Sequence, residues 1–258
     1  MVFLTAACGF FPETFSDLAS WMSTNWMHIH FVLGWISVPL LLADARPRLC
    51  DWLAMLLASL YCSHQFEEHG YDIFGRRYEF VRHLGKILGC DVILESTSPR
   101  VEVAGDCGYD ESTILYINVY AVMGLFLMPL FLPENQKRML VLMNAILVFV
   151  NAALFHIIAG IVHWEYNPGL CQSLLLNAPA SLWVISRLTF SRKQFLLAFL
   201  VNGLPGQVVL ALGPMVAQQE GVVTNFGQHA LQFFVFFVLQ PAIAAMLSSP
   251  RPSRLKQN

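Results

Sequence analysis

The chain is organised as long apolar runs separated by short polar connections. A helix needs about 20 mostly apolar residues to cross the hydrocarbon core of a bilayer. Runs of this kind lie near residues 26–44, 50–68, 113–132, 139–163, 170–190, 195–216 and 226–248. They are continuous rather than short and alternating, so they predict helices and not the strands of a membrane barrel. We therefore expect an all-α fold, a polytopic transmembrane helical bundle of about seven spans.

Composition supports this membrane class. Hydrophobic residues make up 56% of the 258 residues and charged residues only 12%, whereas a soluble domain averages about 25% charged residues. The net charge of −2 gives no reason to expect a nucleic-acid partner. The expected partners are the lipid bilayer and a lipophilic small molecule.

Lys and Arg in short loops predict the orientation of such a bundle. One set of alternate connections carries Arg46, Arg48, Lys137, Arg138, Arg187, Arg192, Lys193, Arg251, Arg254 and Lys256. The other set carries Arg76, Arg77, Arg82, Lys86 and Arg100, all in one loop that also contains acids. This predicts a multi-pass protein of the endoplasmic reticulum or plasma membrane, with its N-terminus outside or lumenal and its C-terminus cytosolic. The three predicted regions are an outer segment at 1–25, a bundle at 26–248 with its outer loop at about 73–112, and a cytosolic tail at 249–258.

Three further features concern the loops and the continuity of the spans. Two runs are interrupted, one by Pro179 after Asn177 and the other around Gly203 and Pro205. A packing kink is the favoured interpretation, and irregular backbone that faces a cavity is the alternative. In the outer loop, Cys90 and Cys107 are expected to form a disulfide, with two free thiols as the alternative.

Candidate chemistry begins where the second run ends, in the stretch SHQFEEHGYD. His64 lies three and four residues before Glu67 and Glu68, so a helix places all three on one face. Tyr71 and Asp72 extend this polar stripe. Ionisable groups at the end of an apolar run are costly and usually functional, and histidine beside carboxylates is typical of a metal site or a proton-transfer site. The alternative is structural, a His64–Glu68 pair that holds two helices together.

A second polar group lies in the fourth run. His156 and His163 are seven residues apart, which places them on one face of a helix, and the turn signal in YNPG ends that helix. The second and fourth runs point the same way, so we expect one shared pocket in the outer leaflet. Other polar residues expected at that side are Asn118, His28, His30 and His229, of which the three histidines are interpreted as interface residues rather than ligands.

These residues carry a resemblance to a known family. The stretch from His64 to Glu68 resembles the motif of the HXXEE family of integral membrane proteins. The family's second signature is an Asn, then a His, then Tyr-x-Pro-Gly. It matches His156, Tyr166, Pro168 and Gly169 here, with Asn151 as the candidate Asn, one residue farther from the His than in the family pattern. The resemblance extends from the second run to Gly169 and implies an enzyme of unspecified reaction; His163 and the cysteine-bearing loop fall outside the family pattern.

The first functional hypothesis is a metal-dependent membrane enzyme acting on a lipophilic substrate. Imidazole and carboxylate ligands suit zinc or non-haem iron. The candidate ligands are His64, Glu67 or Glu68, His156 and, as a fourth, His163, with the remaining glutamate as general base. Zinc favours hydrolysis by an activated water. Iron is less expected because the chain lacks the histidine clusters of membrane desaturases, and HExxH is also absent.

The second hypothesis needs no metal. Two adjacent carboxylates repel, which raises the pKa of one of them. A protonated Glu67 or Glu68, assisted by Tyr166, would then act in an isomerase or cyclase of a lipid or terpenoid pathway. A proton-coupled transporter is the third hypothesis, and an assembly factor without catalysis is the fourth.

Overall fold

The fold is a helix bundle, as the apolar runs predict. The computed structural model of the chain describes residues 15–43, 48–76, 80, 83, 85, 91–94, 101–104, 111–208 and 213–248. Cys90 and Cys107, with their expected disulfide, lie outside the described residues. The first fourteen residues and the predicted tail at 249–258 lie outside them too.

The α-helical segments follow the predicted runs closely. They are α1 Phe15–Ala43, α2 Leu49–His69, α3 Glu111–Tyr120, α4 Glu134–Val150, α5 Ala159–His163, α6 Leu170–Gln172, α7 Ala178–Arg187, α8 Arg192–Asn202, α9 Leu204–Gln207, α10 Gly213–Gln219, α11 Asn225–Phe234 and α12 Gln240–Leu247. Several of them are joined end to end by wider π-helical turns. These are π1 Ala121–Leu127, π2 Asn151–Ile158, π3 Ser173–Asn177 and π4 Val235–Leu239, and a 3₁₀ turn at Met128–Phe131 follows π1.

Two details differ from the sequence prediction. The long connection between α2 and α3 contains a two-stranded antiparallel sheet, β1 Asp91–Leu94 with β2 Val101–Ala104. The helical segment α1 is also longer than the run at 26–44, because polar residues end an apolar run without ending a helix. The break expected in the sixth run is present: α8 ends at Asn202, and α9 begins after Gly203.

Helices of membrane-spanning character are present. Among the described residues, three continuous helices are long and apolar enough to cross a membrane, namely Thr113–Phe131, Glu134–His163 and Asn225–Leu247. They correspond to the predicted runs at 113–132, 139–163 and 226–248. The chain is therefore an all-helical protein, apart from the short sheet, with membrane-spanning character.

The core is built around α4, the one helix that packs against α2, α7, α8 and α12. Apart from Asn144, its turns from Met139 to Val150 are apolar on every side, and a helix of that kind is buried all round. Leu140, Val141, Met143 and Ala145 have no exposed surface. Beyond α4 the same helix continues through π2, so the buried core leads directly to His156.

Close packing of α1 against α2 fixes the helix that carries the HQFEE stretch. A Cβ atom on Gly34 would lie 2.8 Å from the carbonyl oxygen of Ser59, so only glycine permits this approach. The hydroxyls of Ser37 and Ser59 are hydrogen bonded beside it. Small residues at helix contacts are typical of membrane bundles. At the opposite end of α2, Asp51 forms an ion pair with buried Lys137 of α4.

Candidate functional site

Three side chains from two helices converge at one buried point. His64 and Glu68 lie one turn apart near the end of α2, and His156 comes from π2. Their exposed fractions are 2%, 5% and 1%. One ligand atom from each of the three residues lies within 4.8 Å of the other two, and the two imidazole rings meet edge to face with centroids 4.8 Å apart.

Both histidines approach the same carboxylate oxygen. The Nε2 atoms of His64 and His156 lie 3.4 and 3.2 Å from the same oxygen, Oε1 of Glu68. Neither nitrogen makes a hydrogen bond to a described residue with acceptable geometry. In tetrahedral zinc sites with bonds of about 2.1 Å, neighbouring ligand atoms are about 3.4 Å apart. The two nitrogen–oxygen distances lie close to this value.

Asn167 holds the ring of His156. The Nδ1 atom of His156 lies 3.1 Å from Oδ1 of Asn167, and the amide nitrogen of Asn167 donates to the carbonyl of Phe155. In the neutral ring, this arrangement places the proton on Nδ1 and directs the lone pair of Nε2 toward Glu68. Metal-binding histidines are usually oriented in this way by an outer partner.

The structure explains why the YNPG sequence ends in glycine, at Gly169. Its φ angle is +88°, a conformation that glycine adopts without strain. A Cβ atom at this position would lie 2.6 Å from Cε1 of His64 and 2.8 Å from Cε1 of His156. The glycine backbone therefore packs directly against both imidazoles. Pro168 before it prevents the chain from continuing as a helix, and α6 begins at Leu170.

Glu67 has different partners from Glu68. Its carboxylate accepts hydrogen bonds from the backbone N–H groups of Cys171 and Gln172, at 3.0 and 2.7 Å, and from the hydroxyl of Tyr166 at 2.6 Å. It thus stabilises the first turn of the α6–π3–α7 helix, where a negative charge is favourable. Burial, and then the bond to Glu67, raise the pKa of the Tyr166 phenol, so Tyr166 acts here as a proton-holding donor.

The second oxygen of Glu68 is also engaged. Oε2 accepts a hydrogen bond of 2.8 Å from the side chain of Gln65 and lies 3.8 Å from Nε2 of His69. The ion-pair partners of Glu68 among the described residues are all histidines. A buried carboxylate with only imidazole partners has no full positive charge beside it unless an imidazole is protonated or a cation binds.

A cavity of about 160 Å³ adjoins the three clustered side chains. His64, Gln65, Glu68 and His69 line one part of it. The rest is mainly apolar, with carboxamide and phenol groups placed among Leu, Val and Phe side chains. The lining thus combines apolar walls with a few convergent polar groups, as the linings of small-molecule sites do.

The π-helical turns surround this cavity. Each contributes lining residues: Ala121, Leu125 and Phe126 from π1, Asn151 from π2, Asn177 from π3 and Phe236 from π4. Wider turns of this kind occur often at functional sites because they redirect side chains. All four π-helical turns therefore border the same cavity.

The structure brings some of the site residues predicted from the sequence together and places the others elsewhere. His64, Glu68 and His156 meet, and Glu67 with Tyr166 forms the neighbouring hydrogen-bonded group. His163 lies at the end of α5, is exposed and is outside the clustered set. Tyr71 is exposed as well. Asp72 is buried but turns back to bond Arg76 at 2.8 Å.

The expectation of a shared pocket is met by only some of the other polar residues. Asn118 lines the cavity and accepts a hydrogen bond of 2.6 Å from Tyr61. His28 packs on Phe66, His30 on Trp26, and His229 on Tyr116. These three histidines lie outside the cluster of His64, Glu68 and His156.

Several site residues were not found by sequence reasoning. The contact of Asn167 with His156 was not predicted, because Asn-Pro was interpreted only as a turn signal. His69 was passed over although it adjoins the motif. Asn177 and Gln207 lie at the two interrupted spans, so the interruptions were the available signal for them.

Comparison with known proteins identifies the family of the chain. The chain matches the family described as "Protein of unknown function with HXXEE motif" over residues 55–184. That range contains the three clustered side chains, Glu67 and the YNPG loop. No curated protein and no solved structure matches the chain. The match covers half of the sequence, and the chain is therefore a member of the HXXEE-motif family.

Proposed function

We propose that this protein is a metal-dependent integral membrane enzyme that hydrolyses a lipophilic substrate. The observation that carries the proposal is the convergence of His64, Glu68 and His156 with the interatomic spacing of metal ligands. Two histidines and one glutamate are a ligand set found in catalytic zinc sites, which keep a further position open. Zinc is the favoured ion, since it suits imidazole and carboxylate ligands.

The surroundings of the cluster support a bound cation. The site is buried, and the carboxylate of Glu68 faces two ring nitrogens without hydrogen-bond geometry. A divalent ion would satisfy the carboxylate and both nitrogens at once, whereas an empty cluster leaves the nitrogens unbonded at the cost of buried polar groups. Asn167 would fix the tautomer of His156 that leaves its Nε2 lone pair available to the ion.

The roles of the chain's residues then follow. His64, Glu68 and His156 would hold the ion, and Glu67 with Tyr166 would hold the YNPG loop against them. The ion would supply Lewis-acid activation of a water molecule at neutral pH. In such a hydrolysis the hydroxyl of a water molecule would bond to the electrophilic carbon of the substrate, the bond from that carbon to the leaving group would break, and the remaining proton would pass to the leaving group.

The membrane arrangement is part of the same proposal. About seven spans would cross the bilayer within 26–248, with residues 1–25 outside or lumenal and 249–258 cytosolic. Large apolar side chains are exposed on several helices, including Leu40, Ile161, Leu175 and Met246, as expected of surfaces that face lipid. The residues around the cluster would then lie toward the outer or lumenal leaflet, where a lipophilic substrate has access from the bilayer.

Conversion of lipids in proteoliposomes tests this function. Purified protein is reconstituted with a total lipid extract, and lipid products are followed by mass spectrometry. We expect pairs of products whose combined composition equals a precursor plus one water molecule, loss of this conversion on chelation, and its return with zinc. Glu68→Gln is expected to behave like protein-free vesicles, and exposed Glu220→Gln like the wild type.

Two results would contradict the proposal. Conversion that is indifferent to the chelator would favour metal-free acid–base chemistry at Glu68. Movement of an unaltered lipid across the membrane, with no conversion, would favour the transporter.

A further inference from the structure

The seam between π2 and α9 is a place where the lining of the cavity comes near the surface of the bundle. The cavity is not sealed from its surroundings. Asn151, the first residue of π2, and Gln207, the last residue of α9, both line it and are partly exposed. The lining residues Ala121, Leu125 and Phe236, by contrast, are at most 4% exposed. The two carboxamides therefore lie between the interior of the cavity and the outside of the helices.

The residues that flank this pair are apolar and exposed. Leu154 lies one turn after Asn151, and Leu204 and Val208 lie on either side of Gln207. Asn151 is also near the middle of the continuous span Glu134–His163, at the depth where a membrane presents hydrocarbon. The seam thus has lipid on its outer side and the cavity on its inner side.

The contact between the two carboxamides is weak. Nδ2 of Asn151 lies 3.5 Å from Oε1 of Gln207, at the outer limit of a hydrogen bond. Gln207 is held more firmly on its other side, where its Nε2 donates to the carbonyl of Leu147 at 2.7 Å. Oδ1 of Asn151 accepts no hydrogen bond from a described residue, and it keeps accessible surface. One acceptor in the seam is therefore available to an entering molecule.

A purely structural role would favour a closer contact. Carboxamides inside a membrane are costly unless they are paired, and they are often functional there. Where two polar side chains fasten helices beside the same cavity, the bond is short: the hydroxyl of Tyr61 donates to Asn118 at 2.6 Å. The longer contact of Asn151 with Gln207 is that of two groups that separate easily.

The backbone of α9 is set apart from the helix before it. A Cβ atom on Gly203 would collide with the carbonyl oxygen of Phe199, so a glycine is required at the break between α8 and α9. The helix α9 has four residues, Leu204–Gln207, and a helix this short has little stability of its own. Movement of α9 away from π2 therefore breaks side-chain contacts of Gln207 without disrupting a long helix.

We propose that the seam between π2 and α9 is the entrance through which a lipophilic molecule passes from the bilayer into the cavity, with the contact of Asn151 and Gln207 as its closure. The proposal rests on the proposed function in one premise, that the ligand is lipophilic, and it requires no metal. Asn151 lies five residues before His156, within about 8 Å along the helix axis. A molecule that enters here comes directly to the clustered side chains.

Photolabelling of the cavity tests whether access is from lipid or from water. Wild-type protein in lipid vesicles is illuminated with phenyldiazirine, which is neutral and dissolves in the bilayer, or with its carboxylated analogue, which stays in water. A cavity of about 150 Å³ admits benzene, and this one measures about 160 Å³. Labelled residues are identified by mass spectrometry of peptides. We expect phenyldiazirine to label Ala121, Leu125 and Phe236, and the carboxylate to label them about tenfold less, relative to the exposed loop residue Val222.

A cross-link tests the position of the entrance. Asn151→Cys with Gln207→Cys is bridged by dibromobimane, a short reagent that joins two thiols, and the bridge is verified from the peptide mass. Compared with the same variant before bridging, we expect about tenfold less labelling of the cavity and unchanged labelling of exposed Leu175. Ser37→Cys with Ser59→Cys, bridged in the same way, is the control. Those two residues also link neighbouring helices, and they do not line the cavity.

The outcomes separate the entrance from the metal proposal, because labelling is measured on both zinc-loaded and chelated protein. Equal labelling of the cavity by both reagents, no labelling by either, unchanged labelling after the first cross-link, or equal loss in both cross-linked variants would overturn the entrance. Any of these results in zinc-loaded protein would leave the metal site standing. The expected labelling in wild-type protein that holds no metal would support the entrance and refute the metal site alone.

Discussion

Gly169→Ala is expected to disrupt the site more than any other single methyl addition. The new Cβ would lie within 3 Å of carbon atoms of both His64 and His156, in a backbone conformation with φ of +88°. Strain of an alanine at positive φ and overpacking against rigid rings together cost about 2–4 kcal/mol. We expect a lower thermal unfolding midpoint and loss of bound metal, since neither imidazole can stay in place.

Two other glycines provide the control for backbone strain. Gly75 and Gly221 have φ angles of +75° and +68°, and a Cβ at either would meet nothing within 4 Å. Gly75→Ala and Gly221→Ala are expected to cost about 1 kcal/mol each and to retain the metal. If Gly169→Ala resembled these two variants, the glycine would not be packed against the imidazoles as described.

Glu68→Gln and Glu67→Gln are expected to have different effects, although the residues are adjacent: the first reduces metal affinity and the second reduces stability. Glu68 is the carboxylate that faces both imidazoles. Loss of an outer partner of a metal ligand alone costs about 10–100-fold in affinity. Replacing the ligand Glu68 should therefore reduce zinc affinity by more than about 100-fold, while the helices remain folded.

Glu67→Gln should instead lower stability and leave the metal bound. Glu67 accepts three hydrogen bonds that tie the start of the α6–π3–α7 helix to α2, and bonds to a charged acceptor are worth about 2 kcal/mol each. Zinc competition assays and thermal unfolding in detergent separate the two effects. Equal loss of metal in both variants would contradict the division of roles.

The helical architecture could be predicted from the apolar runs. A helix that crosses a bilayer needs about 20 mostly apolar residues, and a run of that length is visible in the sequence. The site followed in part for a similar reason. His64 and Glu68 are one turn apart, so their proximity is a local property of a helix. His156 could be added because two spans that run in the same direction bring their ends together.

The other features of the site and the fold depend on contacts between distant parts of the chain, which local sequence patterns do not predict. Glu67 and Glu68 are equivalent in sequence, and they differ only because the YNPG loop lies against one of them and His156 against the other. His163 shares a helical face with His156 on a regular helix. Seven residues of helix nevertheless separate the two by about 10 Å along the axis, and His163 is exposed. The strands β1 and β2 are four residues each, too short to stand out in a polar loop.

Metal content of purified protein tests the central claim most directly. Mass spectrometry of detergent-purified wild type is compared with His64→Ala, His156→Ala and His163→Ala, each shown to be folded by thermal unfolding. We expect near-stoichiometric zinc in the wild type and in His163→Ala, because His163 is exposed and lies outside the cluster. Both other variants should lose it. Folded wild-type protein without metal, or metal retained in His64→Ala and His156→Ala, would contradict a metal centre at this site.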